Sequence, residues 1–306
     1  MNKLLSVFTL VVVLWGCKEK APFINYDEST KLTDSTYVEL TVATPQPKTM
    51  LLEDVSGVKC VNCPDAAVVA RGIMNAFPGR AFNIVMHPAI AALGSFVDPI
   101  NKEGYLSKYD FRTKDAADIL ELVGIPGALP RGLINRRLFS GKTSRLLGRE
   151  EWYVRAEEEL QTATPVNIEL KNEYDEATGK GLITVTLKYT QTVSDKHYLS
   201  IALVEDSLID VQEYQDPQTF QVKYNPDYVH MHVLRDIVTS ATGDPVTDLQ
   251  NAFTPGRVFV KQYSYKTKVS DNIDVNPVHG KLLAFVHKDA SGIDIIQAAE
   301  IHVAEH

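Results

Sequence analysis

The chain has 306 residues, of which 44% are apolar, with three cysteines and a net charge of −8. That apolar share is enough for the cores of two ordinary domains, and the acidic balance excludes a polyanion binder, which would present a basic face. The densest basic cluster, Arg131, Arg136, Arg137, Lys142 and Arg145, is diluted by apolar residues and reads as solvated surface, so no nucleic-acid partner is expected.

Residues 1–17 form a leader. Lys3 supplies a short positive region, and Leu4 to Trp15 make an apolar run too short to span a bilayer but typical of a signal sequence. The run ends in Leu14-Trp15-Gly16-Cys17, which resembles a bacterial lipobox whose cysteine is acylated and becomes the new N-terminus. Trp15 stands where a smaller residue is usual, and the competing reading is an ordinary signal peptide with an incidental cysteine. Acylation of Cys17 accounts for the odd cysteine count, leaving Cys60 and Cys63 to pair with each other. At about 0.8 kcal/mol per buried methylene, two or more acyl chains hold a protein stably on a membrane. The expected location is therefore the outer membrane, on its periplasmic or cell-surface side, with a lipid anchor and no spanning segment. Lys18-Glu19 resembles the surface-export signals of Bacteroidetes lipoproteins. Residues 18–47 are polar, as a tether would be, apart from Tyr37 to Val42, whose period of two predicts a short strand.

Residues 48–162 alternate strand and helix signals, an α/β pattern. Met50 to Leu52 opens a buried strand, and Ala67, Ala70, Met74 and Phe77 fall at helical spacing after Pro64. A strand follows at Ala81 to Met86, then a helix from near Thr113 with Ala116, Ala117, Leu120 and Val123 on one face and Gly124 as its stop. Gly132 to Phe139 reads as a strand and Gly148 to Leu160 as a charged helix. In residues 163–306 the period drops to two. Seven strands are predicted, Val166–Leu170, Leu182–Tyr189, Tyr198–Val204, Tyr228–Val238, Val258–Tyr265, Leu282–His287 and Ile293–Val303, with turn sequences between several of them. That punctuation suggests an immunoglobulin-like β-sandwich.

Cys60 and Cys63 follow a strand and open a helix, where free amides and the positive dipole end stabilise a thiolate, and Lys59 adds a cation. Three readings compete for the pair. As a staple it is poor, since closing so short a loop is worth about 2 kcal/mol. A zinc site would need His230 and His232 to complete it. Those histidines read instead as sandwich-face residues, so neither a metal nor another cofactor is expected. Redox activity and an idle inherited disulfide remain.

Asp54 at a strand end, Cys60-Val61-Asn62-Cys63 opening a helix, and Gly124 to Pro130 before a strand resemble the thioredoxin superfamily. That resemblance implies a cis-proline at Pro130 against the disulfide, with Leu129 offering its backbone to an extended substrate. It also implies Asp54 as the buried acid that assists the second cysteine, with Glu53 its nearest rival. Taken whole, the leader, "LLEDVSGVKCVNCPDAA", "GALPRGLINR" and "YVHMHVLRDIVTSATGDPV" are similar to the Bacteroidetes family of thioredoxin-like outer-membrane lipoproteins named after a 28-kilodalton outer-membrane protein. The chain departs from working thioredoxins in having Lys59 where a tryptophan is usual, Val61-Asn62 between the cysteines, and a long stretch, His87 to Asp118, before the second helix.

The resemblance implies thiol–disulfide exchange on exported or cell-surface proteins, with Cys60 attacking, Cys63 resolving, Asp54 relaying a proton and Pro130 shaping the groove. The alternative is a non-enzymatic surface adhesin in which the disulfide is a relic. An exposed groove beside Cys60 favours the first, and a sandwich packed over both sulfurs favours the second. His87 is either a proton shuttle or a satisfied surface residue. Gly141-Lys142-Thr143 ends like a phosphate loop but has Arg136 in place of its first glycine, which rules that motif out.

Overall fold

The computed structural model describes residues 31–247, 253–289 and 293–304, so the leader and Cys17 lie outside the described residues. Strand β1 (Lys31–Val38) begins earlier than the strand expected at Tyr37 to Val42. It pairs antiparallel along the second half of the chain and ends where Glu39 N–H meets the Gly256 carbonyl, leaving Leu40 fully exposed. Only Tyr37 and Val38 of the expected strand lie in it, and Val38, Leu40 and Val42 are all exposed, because pairing with a distant strand and not the alternation fixes its limits.

Strand β2 (Met50–Val55) is buried on both faces, and helix α1 (Cys63–Ala76) crosses from it to the parallel strand β3 (Ala81–Pro88). Pro64 is tolerated in the first turn of α1, where its missing N–H has no helical partner to lose. The helix buries Cys63, Ala66, Ala70 and Ile73, one residue off the expected stripe, which leaves Ala67 and Met74 half-buried. Two neighbouring faces of α1 are almost equally apolar, and contact with the sheet chooses between them.

Helix α2 (Lys114–Val123) starts where Thr113 Oγ1 accepts the Ala116 N–H at 3.2 Å and stops at Gly124, whose φ of 107° suits glycine. Strand β4 (Arg131–Ile134) runs antiparallel to β2 and is shorter than the expected Gly132 to Phe139. It ends because Asn135 and Arg136 turn at positive φ and are held by buried polar partners. Asn135 donates to Glu159 Oε2 at 2.7 Å, and Arg136 forks onto Glu53 at 2.8 and 2.6 Å. Helix α3 (Arg149–Leu160) packs Trp152, Ala156 and Leu160 into the core shared by β2 and α1.

The other strands of five residues or more are β5 (Val166–Asp175), β6 (Lys180–Tyr189), β7 (His197–Glu205), β8 (Leu208–Gln215), β9 (Val222–His230), β10 (Val233–Ile237), β11 (Arg257–Lys266), β12 (Gly280–Lys288) and β13 (Ile295–His302). A four-stranded sheet has the order β1-β11-β6-β5. A nine-stranded sheet has the order β13-β12-β7-β10-β3-β2-β4, with two short strands, Asp244–Val246 on β7 and Arg112–Thr113 on β3.

The single strand expected over Tyr228 to Val238 is two. His232, at φ 56°, breaks it. The first part, β9, closes a hairpin with β8, whereas β10 leaves it to lie parallel to β3. A strand from residues 163–306 therefore sits between β3 and β7, and the large sheet runs across the boundary near residue 162. One face of that sheet carries a single core drawn from both halves: Leu51, Val55, Ile84 and Met86 beside Ala202, Val204, Leu283 and Phe285. On the other face α1 and α3 cover the β2 end, and the four-stranded sheet covers β7 and β12.

Candidate functional site

The strand-to-helix turn after β2 places Cys60 and Cys63 at the end of the shared core, joined as a disulfide. The turn is built from the backbone: Cys60 N–H donates to Gly57 O at 3.0 Å and Cys63 N–H to Cys60 O at 3.1 Å. The Leu129–Pro130 peptide is cis, and Leu129 belongs to the same apolar cluster as both cysteines.

Period two separates the two acids of β2. Glu53 is consumed by Arg136 inside the core. Asp54 points to the face that carries α1, is 1% exposed, and has no hydrogen-bond partner for either oxygen among the described residues. Burial raises its carboxyl to about 7. Asp54 and Cys63 line one cavity of about 420 Å³, together with Ala67, Arg71 and Met74 of α1, Asn83 and Val85 of β3, and Tyr228 to His232.

Two elements cover the disulfide, leaving Cys60 and Cys63 only 2% and 3% exposed. The first is the stretch between β3 and α2. Its Phe96 carbonyl accepts the Lys59 N–H at 2.9 Å, and a Cβ on Gly57 would collide with that same carbonyl. The second is the β8–β9 hairpin, whose Glu213 and Gln215 N–H groups donate to Val58 O and Val61 O at 2.8 and 3.3 Å. Gln212 Nε2 donates to the carbonyls of Gly57 and Cys60, both at 3.2 Å. Asp210 ties the two covers together by accepting the N–H groups of Lys108, Tyr109 and Val211 at 2.7 to 3.0 Å. Val58 is thereby enclosed by Ile100 and Phe111 from one cover and by Leu208 and Val211 from the other.

His87 is not a surface residue. It is 1% exposed beside Phe111 and His230, and burial, helped by His230 and Arg235, lowers it to about 3. His230 is lowered to about 4 by burial among Phe111, Tyr228 and His87, whereas His232 pairs with Asp206 at 3.0 Å. Among the described residues no group of three or more His, Cys, Asp or Glu is arranged to hold a metal. Nor is any helix among them long and apolar enough to cross a membrane.

Sequence patterning did not reveal the hairpin, nor Gln212, Tyr228 and Arg71 as neighbours of the disulfide. Leu208-Ile209-Asp210-Val211 breaks the alternation because Asp210 is a buried clasp. A lone acid inside an apolar run was the available signal.

Comparison with known proteins adds two kinds of similarity. The sequence model of the family described as outer membrane protein Omp28 matches residues 123–305. Among solved structures, HBP35 of Porphyromonas gingivalis aligns with a TM-score of 0.60 at 16% identity, over 86% of this chain and 76% of that one. A domain of the outer membrane lipoprotein Omp28 from Porphyromonas gingivalis aligns at 18% identity and a TM-score of 0.30, over 45% of this chain and 88% of that one. No curated protein matches the sequence.

Proposed function

The chain belongs to the Omp28 family of outer-membrane lipoproteins, and from that premise we propose that it carries a thioredoxin-like site performing thiol–disulfide exchange in the service of exported proteins, held at the membrane by a lipid on Cys17. The observation that carries the reading is the cavity shared by Cys63 and the buried, partnerless Asp54. A carboxyl raised to about 7 gives and takes protons near neutral pH, as a dithiol needs when it opens and closes. Cis-Pro130, with Leu129 in the cluster of both sulfurs, supports the same reading.

A second reading has its own observation. The covers leave both sulfurs almost without exposure, as suits a surface-binding protein whose disulfide is a remnant. Equilibrating the native protein in thiol–disulfide buffers of graded ratio, then quenching with acid and alkylating, separates the two. Exchange predicts a reversible change in the fraction of free Cys60 and Cys63 while the protein stays folded. A disulfide that opens only in denaturant sinks the exchange reading and leaves the binding protein.

A further inference from the structure

The covers around the disulfide decide which sulfur can react and with what. We propose that Cys63, rather than Cys60, is the sulfur that meets a partner, and that the partner is a small thiol or disulfide bearing a carboxylate, admitted through the cavity beside α1. This rests on the exchange reading above and names its immediate substrate.

Cys63 lines that cavity. Cys60 is not part of that lining: Gln212 holds its carbonyl, and the neighbouring Lys59 N–H is fixed to Phe96. At about 420 Å³ the cavity lies at the small end of ligand sites, a size that suits a small molecule. Its rim is open to solvent, with Arg71 and Asn75 of α1 on one side and Val229 of β9 and the following Met231 on the other. Arg71 supplies the cation that a carboxylate recognises, while Ala67, Met74, Val85 and Tyr228 form walls suited to a short methylene chain.

The chemistry balances. The small thiol ionises and its thiolate attacks Cys63 Sγ; the Cys60–Cys63 bond breaks, and Cys60 leaves with the electron pair and takes up the proton. A second small thiolate then attacks the bound small sulfur, expelling Cys63, which is protonated from the Asp54 side of the cavity. Two thiols have been oxidised to one small disulfide, and the protein disulfide has been reduced to a dithiol. The reverse sequence oxidises it again. Exported proteins are then served through a small carrier.

The test uses full-length protein in detergent and two probes, the anionic disulfide dithiodipropionate and the neutral hydroxyethyl disulfide, with mixed disulfides counted by mass spectrometry. Cys60→Ser, which keeps Cys63, should acquire the anionic probe about tenfold faster than Cys63→Ser. Arg71→Gln should remove the advantage of the anionic over the neutral probe. If Cys63→Ser reacts faster, the inference fails and the exchange reading stands; if neither variant reacts until unfolded, both fail. A check with the native disulfide intact is Ala67→Phe, which fills the cavity and should slow reduction by mercaptopropionate about tenfold at an unchanged melting temperature. An unchanged rate overturns the cavity route.

Discussion

Two adjacent carboxyls in β2 meet opposite fates because neighbouring residues of a strand face opposite sides of the sheet. Glu53 is neutralised by Arg136, while Asp54 enters an apolar wall beside a cavity, where burial raises its carboxyl to about 7. The sign of the resulting pH dependence follows. A carboxyl raised from 3.8 to about 7 contributes stability that is present below 3.8 and lost as pH rises through 7. Asp54→Asn should therefore match the wild type near pH 4 and exceed it near pH 8, by up to about 4 kcal/mol, three pK units at about 1.4 each. Urea unfolding at the two pH values measures this; equal stabilities at both would show that Asp54 is ordinarily ionised. Asp54 came from the resemblance, with Glu53 its rival, because Met50-Leu51-Leu52 makes both faces of the strand apolar and parity alone does not choose between the two acids. Arg136 was not, because its positive φ and its partner on a distant strand leave no local trace.

At the scale of elements, the long stretch after β3 and the β8–β9 hairpin act as one cover because Asp210 accepts backbone N–H groups from both. Asp210→Ala leaves the buried Val211 N–H without its acceptor, at a cost of about 1–3 kcal/mol, and frees the part-buried N–H groups of Lys108 and Tyr109 to solvent, so the cover should loosen before the core does. Hydrogen exchange should quicken at Lys108, Tyr109 and Val211 while the β2 and β3 amides keep their protection, and thiol reagents should reach the disulfide faster. Uniform quickening throughout the molecule would mean that Asp210 supports the whole fold instead. The helices were legible because their signals are local, as with the Thr113 cap and the Gly124 stop. The hairpin was hidden because its stability comes from docking on the turn after β2, which no window of sequence contains.

At the scale of the molecule, the buried histidines set the response to acid. His87 and His287 are lowered to about 3 and His197 and His230 to about 4, each chiefly by burial, so their contribution is lost as pH falls below the unfolded value near 6.5. Asp54 and Asp236, raised to about 7 and about 6, bind protons in the folded state and oppose them. From these six groups the unfolded chain holds roughly two more protons near pH 5, a slope of about 3 kcal/mol per pH unit. Stability measured between pH 6 and 4 should fall that steeply, and a flat profile would contradict the burial of these rings. The large sheet makes a second prediction: residues 48–162 expressed alone should show no cooperative melt, since β3 lacks β10. A sharp transition in that fragment would restore an independent unit. The β-rich character was legible from the period of two, but the sheet that joins the two stretches was not, because a parallel pairing between β3 and β10 depends on nothing near either strand. That pairing also governs how the protein is made. A chain emerging from export machinery N-terminus first presents most of the β10-facing edge of β3 unpaired until Val233 has followed. An open strand edge invites pairing with other chains. That edge closes only with the arrival of Val233, long after residue 162.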